Sequence, residues 1–274
     1  MIYDATKCAL GEGPLWHPAR KQLFWFDILG KRLHTTDHCW DFDTYVSAAG
    51  WIDHDTLIVA SAKGLHRFDI KTGDHSLLCH LENDNPVTRS NDGRADPQGG
   101  FWIGTMGINA EMGAGSIYRY YKGCVRNLYT NLQITNSICF APAGDTAFFT
   151  DTNTQMIMSV ALDADGWPSG EPQLHIDLRG TDFRPDGAVC DAQGNLFSAQ
   201  WGVGRVAVYD RRGHFVEAFP MPAIQSSCPA FGGDDLQTLY CTSAAVGRDG
   251  TDDGKTFHIK TTYTGQGEHR VILG

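Results

Sequence analysis

The chain has 274 residues, with 32 acidic against 22 basic side chains and a formal net charge of −10. That length allows one large all-β domain or two smaller ones, and the acidic balance argues against nucleic acid or an anionic membrane surface as partner, because both require a basic face. The eight cysteines stand singly, with no Cys-x-x-Cys pair and no zinc-finger spacing, so they read as reduced thiols rather than a disulfide framework.

Residues 1–9 lack the apolar run of a secretory leader, and no window approaches a membrane-spanning length free of charges, so a cytoplasmic protein is expected. From there on, Gly, Pro, Asp and Asn interrupt every apolar run within a dozen residues, and no helical period persists. Short runs rich in Phe, Trp, Leu, Ile, Val and Tyr recur instead, each after a polar turn. They fall at 22–26, 56–60, 101–104, 146–150, 195–199 and 238–242. A further strand follows each, at 31–34, 64–68, 115–120, 155–161, 204–209 and 255–259. Weakly alternating outer strands are visible at 75–80 and 214–219. The spacing between equivalent turns is in the forties or slightly less, which matches the roughly 40–50 residues of a four-stranded propeller blade. The expectation is therefore an all-β fold, a six-bladed β-propeller with four-stranded antiparallel blades, formed as a single domain over 1–274. One chain end, either 2–8 or 269–273, should supply the edge strand that closes the ring, because an unclosed ring leaves backbone groups unpaired.

The residues preceding the turns carry the chemistry. Glu12, Asn91, Asn136 and Asp186 each stand five places before an equivalent turn position, at the entry of an innermost strand. Innermost strands line the channel of a propeller, so these four oxygen-bearing side chains should ring one mouth of it. In the other two units the equivalent region is small, Ser47-Ala48-Ala49 and Ser226-Ser227, which would leave space for a ligand. Any one of the four residues is more simply a turn former or strand cap; four in register favour a site. Two carboxylates and two carboxamides suit a hard or borderline divalent ion such as Ca²⁺, Mg²⁺, Mn²⁺, Fe²⁺ or Zn²⁺, with positions left open for water or substrate. Arg89 adds a fixed cation with a planar donor fork beside Asn91. Trp201, after the fifth unit's second strand, is a candidate wall of the pocket, with core packing an equal alternative. No histidine stands beside a nucleophilic serine, and no Gly-x-Ser-x-Gly elbow is present.

At these residues the chain resembles a known family. Gly11-Glu12-Gly13-Pro14-Leu15-Trp16, Arg89-x-Asn91-Asp92-Gly93, Gly104-Thr105-Met106, Ile134-Thr135-Asn136 and Pro185-Asp186-Gly187 are similar to motifs of the senescence-marker-protein/gluconolactonase (regucalcin) family, in the same order and over nearly the whole chain. Within it, Ala199-Gln200-Trp201-Gly202 and Cys228-Pro229-Ala230-Phe231-Gly232-Gly233 are closest to bacterial sugar lactonases such as D-xylonolactonase and L-arabinolactonase. The resemblance implies one divalent metal ion held by Glu12, Asn136 and Asp186, with Arg89 and Asn91 on substrate hydroxyls or on water, and Asp186 also as catalytic acid and base. This sequence departs from the family at two places. Ser137 follows Asn136 where the family often has glycine, and the family's acidic residue just after Gly-Thr-Met has no counterpart at that place. Asn109 or Glu111 is the candidate replacement, so Glu111 is counted among the substrate contacts.

The expected function is metal-dependent hydrolysis of a sugar lactone to the aldonic acid, with a pentonolactone as substrate, by a monomer or weak homo-oligomer. Two alternatives remain at this level: an organophosphate-hydrolysing, phosphotriesterase-like propeller, and a non-enzymatic calcium-binding propeller.

Overall fold

Each apolar run read from the sequence as a blade strand folds as one in the computed structural model, which describes residues 1–274. The first strand, β1 (Ile2–Asp4), stands apart from its neighbours in sequence. Blade one is β2 (Gly11–His17), β3 (Gln22–Asp27), β4 (Arg32–His34) and β5 (Cys39–Asp41). Blade two is β6 (Val46–Asp53), β7 (Thr56–Ser61), β8 (Gly64–Asp69) and β9 (His75–His80). Blade three is β10 (Thr88–Ala95), β11 (Phe101–Gly107), β12 (Gly115–Tyr121) and β13 (Cys124–Leu132). Blade four is β14 (Thr135–Phe140), β15 (Thr146–Asp151), β16 (Met156–Ala161) and β17 (Gln173–Asp177). Blade five is β18 (Arg184–Cys190), β19 (Leu196–Trp201), β20 (Arg205–Tyr209) and β21 (Phe215–Pro220). Blade six is β22 (Ser226–Gly232), β23 (Thr238–Ser243) and β24 (Thr256–Lys260), completed on its outside by β1. The molecule is thus a six-bladed β-propeller of four-stranded antiparallel blades.

Of the two candidate closing segments, the N-terminal one pairs: Ile2 lies opposite Phe257 and Asp4 opposite Thr256. The C-terminal one does something else. It crosses the far mouth of the channel. Gln266 donates to the carbonyls of Phe140 and Cys190, Val271 N–H donates to Trp51 O at 2.8 Å, and Ile272 N–H donates to Gly99 O at 2.8 Å. Glu268 forms an ion pair with Arg94, and both side chains are nearly buried.

The core is a ring rather than a centre. Six buried apolar clusters lie one between each pair of neighbouring blades. Leu15, Phe24 and Phe26 of blade one meet Leu57, Val59 and Phe68 of blade two. The same alternation continues round to Trp16, Leu23 and Trp25 of blade one against Tyr240 of blade six. Each sheet is therefore apolar on both faces, which explains why its strands read as continuous apolar runs with little alternation.

The turn from β10 to β11 is fixed by Asp96, which accepts from the N–H groups of Gln98 and Gly100. Asp191 does the same for Gln193 and Asn195 in blade five. These are the polar turns that mark the repeat in the sequence. Five cysteines are buried and Cys39 and Cys124 are exposed, all as free thiols. No helix is long and apolar enough to cross a membrane.

Candidate functional site

All six innermost strands break register near their first residues. The shift falls between Glu12 and Leu15, Val46 and Ala48, Ser90 and Gly93, Asn136 and Cys139, Pro185 and Ala188, and Ser226 and Pro229. A bulge adds a residue, bends the strand and re-aims a side chain. Four of these bulges hold Glu12, Asn91, Asn136 and Asp186, which is why equal spacing from the turn picks them out.

Backbone conformation at the bulges constrains the neighbours. Gly13 has φ +53° and lies against the Ser47 carbonyl where a Cβ would sit. Ser137 takes the same left-handed conformation, φ 56°, without being glycine. That strain, of order 1 kcal/mol for a non-glycine residue, is offset by its hydroxyl, which donates to the carbonyl of Asp186 on blade five. The serine that stands where the family often has glycine thus ties two site-bearing strands together. At Gly187 a Cβ would collide with Cys228 of blade six, so glycine is needed for that blade to approach.

Glu12, Arg89, Asn91, Asn136, Asp186 and Trp201 line one cleft of about 310 Å³ at this mouth. Glu111, the seventh residue expected there, does not line it. It sits in the loop after β11, where its carboxylate accepts from the backbone N–H and the side-chain amide of Asn109, each at 3.0 Å. Leu10, Met106, Ile134, Thr152, Asn153, Arg184 and Val246 complete the cleft. Met106 and Ile134 stand in the family-like motifs but were not named as site residues, and Leu10, Ile134 and Arg184 stand two places before Glu12, Asn136 and Asp186, a spacing the sequence reading did not use. Ser47, Ser226 and Ser227 are not among the residues that line the cleft. Ser47 Oγ donates to Ser90 Oγ at 2.8 Å, and the Ser227 hydroxyl donates to Gly11 O, so these two hydroxyls tie adjacent inner strands.

The polar groups form a directed network. Arg89 Nη1 donates to Asn91 Oδ1 at 2.8 Å and to Ser90 O at 2.9 Å. Asn91 Nδ2 donates to Thr135 O at 2.9 Å and to Asn136 Oδ1 at 3.0 Å. Asn136 Nδ2 donates to Thr152 Oγ1, whose own proton goes to Pro185 O, both at 2.8 Å. A backbone carbonyl can only accept, so these contacts fix both amides with nitrogen toward blades four and five.

Charge is out of balance in this network. Asn136, Asp92, Glu12, Arg89, Asn91 and Asp186 are only 2, 3, 5, 5, 6 and 6% exposed. Burial pushes Glu12 up to about 8, with the Asp92 charge adding to it and Gly13 N–H and Arg89 opposing. Burial likewise raises Asp186 well above the usual carboxylate range, helped by Glu12 and Asp92 and opposed by Arg89. Asp92 rises to about 6 by burial, although the N–H of Ile138 donates to it at 2.7 Å. Arg89 is lowered to about 10 by burial, against the pull of Glu12 and Asp186. Glu12 and Asp186 thus share the Arg89 guanidinium, while Asp92 faces Arg94, which is already paired with Glu268, so buried carboxyls outnumber guanidiniums and a further cation would relieve the excess. No three of His, Cys, Asp and Glu converge as a ligand cluster in the chain. An oxygen-seeking cation at Glu12 and Asp186 could draw a further donor from a neighbouring carboxamide, Asn91 or Asn136, which line the same cleft.

The profile described as SMP-30/Gluconolactonase/LRE-like region matches residues 10–245. A putative sugar lactone lactonase of Rhizobium meliloti is 40% identical, with 94% of this chain and 92% of that protein covered. A pentonolactonase of Haloferax volcanii is 32% identical, covering 98% and 97%. Among solved structures, a protein of Agrobacterium tumefaciens described as a calcium-binding protein, regucalcin, superposes with TM-score 0.97 at 40% identity, covering 99% of this chain and 97% of that one. With the profile spanning most of the ring, the chain belongs to the SMP-30/gluconolactonase/LRE-like family.

Proposed function

We propose that the cleft opens a sugar lactone to its aldonic acid, with a pentonolactone as substrate and one divalent cation held by Glu12, Asn136 and Asp186. The observation that carries this reading is the excess of buried carboxyls over guanidinium in a cleft large enough for a sugar. Lactonase relatives at 32 and 40% identity support the reaction class, and the pentonolactonase among them supports the five-carbon substrate. The calcium-binding structural neighbour supports an oxygen-ligated ion, for which Ca²⁺, Zn²⁺, Mn²⁺, Mg²⁺ and Fe²⁺ are the candidates. Such an ion, when bound, supplies Lewis-acid polarisation of the lactone carbonyl. The chain's own groups do the rest. Arg89 and Asn91 orient sugar hydroxyls. Asp186 takes a proton from the attacking water and returns it to the ring oxygen as the C–O bond breaks.

The test is a pH-indicator assay on pentono- and hexonolactones, with and without a chelator. Turnover that disappears on chelation and returns with added ion is expected. Ion binding with no turnover of any lactone would instead favour a non-catalytic calcium-binding propeller, the second reading, to which the same structural neighbour points.

Two substitutions divide the roles. Glu12→Gln replaces a charged ligand with a neutral one, so elemental analysis should find the ion depleted and lactonase rate should fall with it. Unchanged ion content and rate would remove Glu12 from the ligand set. Arg89→Ala should keep the ion but lower kcat/KM about 10- to 100-fold, the worth of one charge-assisted hydrogen bond. Wild-type efficiency on every lactone would show that Arg89 only organises Asn91 in the resting protein.

A further inference from the structure

We infer that Arg184, with Asn153, forms an anion subsite at the rim of the cleft, so that the preferred lactone carries an anionic group at the end of the sugar remote from its carbonyl. This inference rests on the lactonase reading and names the class of lactone.

Arg184 lines the cleft and is exposed, yet its guanidinium makes no hydrogen bond and no ion pair within the chain. Arg67, Arg126 and Arg212 are likewise without a side-chain hydrogen bond or ion pair, but none of them lines the cleft. Arg20, Arg32, Arg94, Arg119, Arg179 and Arg248 each sit on a carboxylate, as an acidic surface makes easy. Of the arginines left without such a partner, Arg89 and Arg184 are the two that face the cleft. Arg89 is buried beside Glu12 and Asp186 and supplies the inner positive charge. Arg184 is therefore free for something that is not part of the chain.

Its placement fits a ligand that reaches outward from the reacting centre. Arg184 pairs regularly with Trp201 across β18 and β19, and the register shift begins only after Pro185. Arg184 and Asp186 are two residues apart on one strand, hence about 7 Å apart along it, and both line the cleft. Asn153 approaches from blade four. It is exposed in the single 3-10 turn Thr152–Thr154, lines the same cleft, and its amide makes no bond within the chain. Thr152 Oγ1 bonds Pro185 O at 2.8 Å, so Asn153 and Arg184 are each next in sequence to one end of that clamp. The remaining outer wall is apolar, formed by Leu10, Met106 and Val246. A terminal hydroxyl would take a single neutral hydrogen bond from this guanidinium, whereas an anionic group would take charge-assisted ones, roughly twice as strong. A carboxylate, phosphate or sulfonate matches its planar donor fork, and the Asn153 amide can add a further donor.

The test compares steady-state kinetics on a neutral pentonolactone, on the same ring with its terminal CH₂OH oxidised to carboxylate, and on analogues with a terminal phosphate or sulfonate. Wild type should favour at least one anionic lactone by about tenfold in kcat/KM. Arg184→Leu should abolish that ratio through KM, with Arg184→Lys intermediate because it keeps the charge but not the fork. The preference should shrink as salt rises. The three anionic arms show which oxyanion the subsite takes. No preference for any anionic lactone in wild type, or an equal loss on neutral and anionic lactones in Arg184→Leu, would overturn the subsite. Calorimetric titration with an aldonate and its terminally phosphorylated form separates this from the underlying reading. If no lactone is opened but the phosphorylated acid binds at least tenfold tighter in an Arg184-dependent way, the reaction is wrong and the subsite stands. Equal binding of both acids removes the subsite whatever the reaction.

Discussion

Asp186→Asn is expected to lower kcat about 10²–10⁴-fold while leaving divalent ion bound at saturating concentration. On the proposed ligand set, the carboxamide would keep one ligating oxygen but remove the basic carboxylate. Asp186 is well placed for two tasks at once. Its carbonyl is tied by Ser137 and that of its neighbour Pro185 by Thr152, so the strand cannot drift. Its carboxyl, buried beside Glu12 and Asp92, holds a proton more tightly than an ordinary aspartate. With a cation held by Glu12, Asn136 and Asp186 that bias would reverse, and the Asp186 carboxylate could accept a proton from water. Asp186→Ala should lose both ion and turnover. The comparison must be made at saturating ion, or weakened binding will pass for lost chemistry. Near wild-type kcat for Asp186→Asn under those conditions would reduce Asp186 to a ligand and leave the proton acceptor to be found elsewhere.

Asp96→Ala is expected to destabilise the protein by about 3–5 kcal/mol, read as a lower urea midpoint at unchanged slope. Asp96 Oδ2 accepts from Arg119 Nε at 2.6 Å, and both side chains are fully buried. Arg119 also donates to Asp165 O at 2.8 Å and lies between the rings of Tyr121 and Trp167, 4.4 and 4.3 Å from their centroids. The pair thus joins the β10–β11 turn of blade three to the turn after β16 in blade four. Removing the carboxylate strands a guanidinium in the interior and also releases the N–H groups of Gln98 and Gly100. Adding Arg119→Met should recover part of the loss, because no uncompensated charge then remains. A loss under about 1 kcal/mol for Asp96→Ala would place it among ordinary surface changes and contradict this account.

The blades were legible because each rests on local signals, an apolar run following a polar turn, repeated six times. The closing strand was not, because 2–8 and 269–273 are both short, mixed segments, and only pairing with a strand over 250 residues away distinguishes them. The same division holds at the cleft. Glu12, Asn91, Asn136 and Asp186 could be picked out because a bulge recurs at one place in each inner strand. Glu111 was proposed from its position in a loop, where sequence says little about direction, and its carboxylate turns back on Asn109. Arg184 stands two places before Asp186 as Arg89 does before Asn91, a spacing that marks the position but not the freedom of its guanidinium. Asn153 belongs to no repeat and sits in a turn, so its lack of a partner in three dimensions is what draws notice. The role of Ser137 likewise depends on a φ angle and on a neighbour from another blade.

Closure by β1 has a consequence for biosynthesis. Ile2 pairs with Phe257, so β1 must wait during synthesis for a partner more than 250 residues later. At about 5–20 residues per second that delay is on the order of ten to fifty seconds. Throughout it, β1 has no partner because β24 of blade six is not yet made, and the segment crossing the far mouth is absent. The nascent ring is then an open arc with two unpaired flanks, and the dwell time of that arc, rather than the stability of the finished ring, sets its exposure to aggregation. A three-residue strand is a small edge to leave uncovered for so long, and its shortness fits that wait.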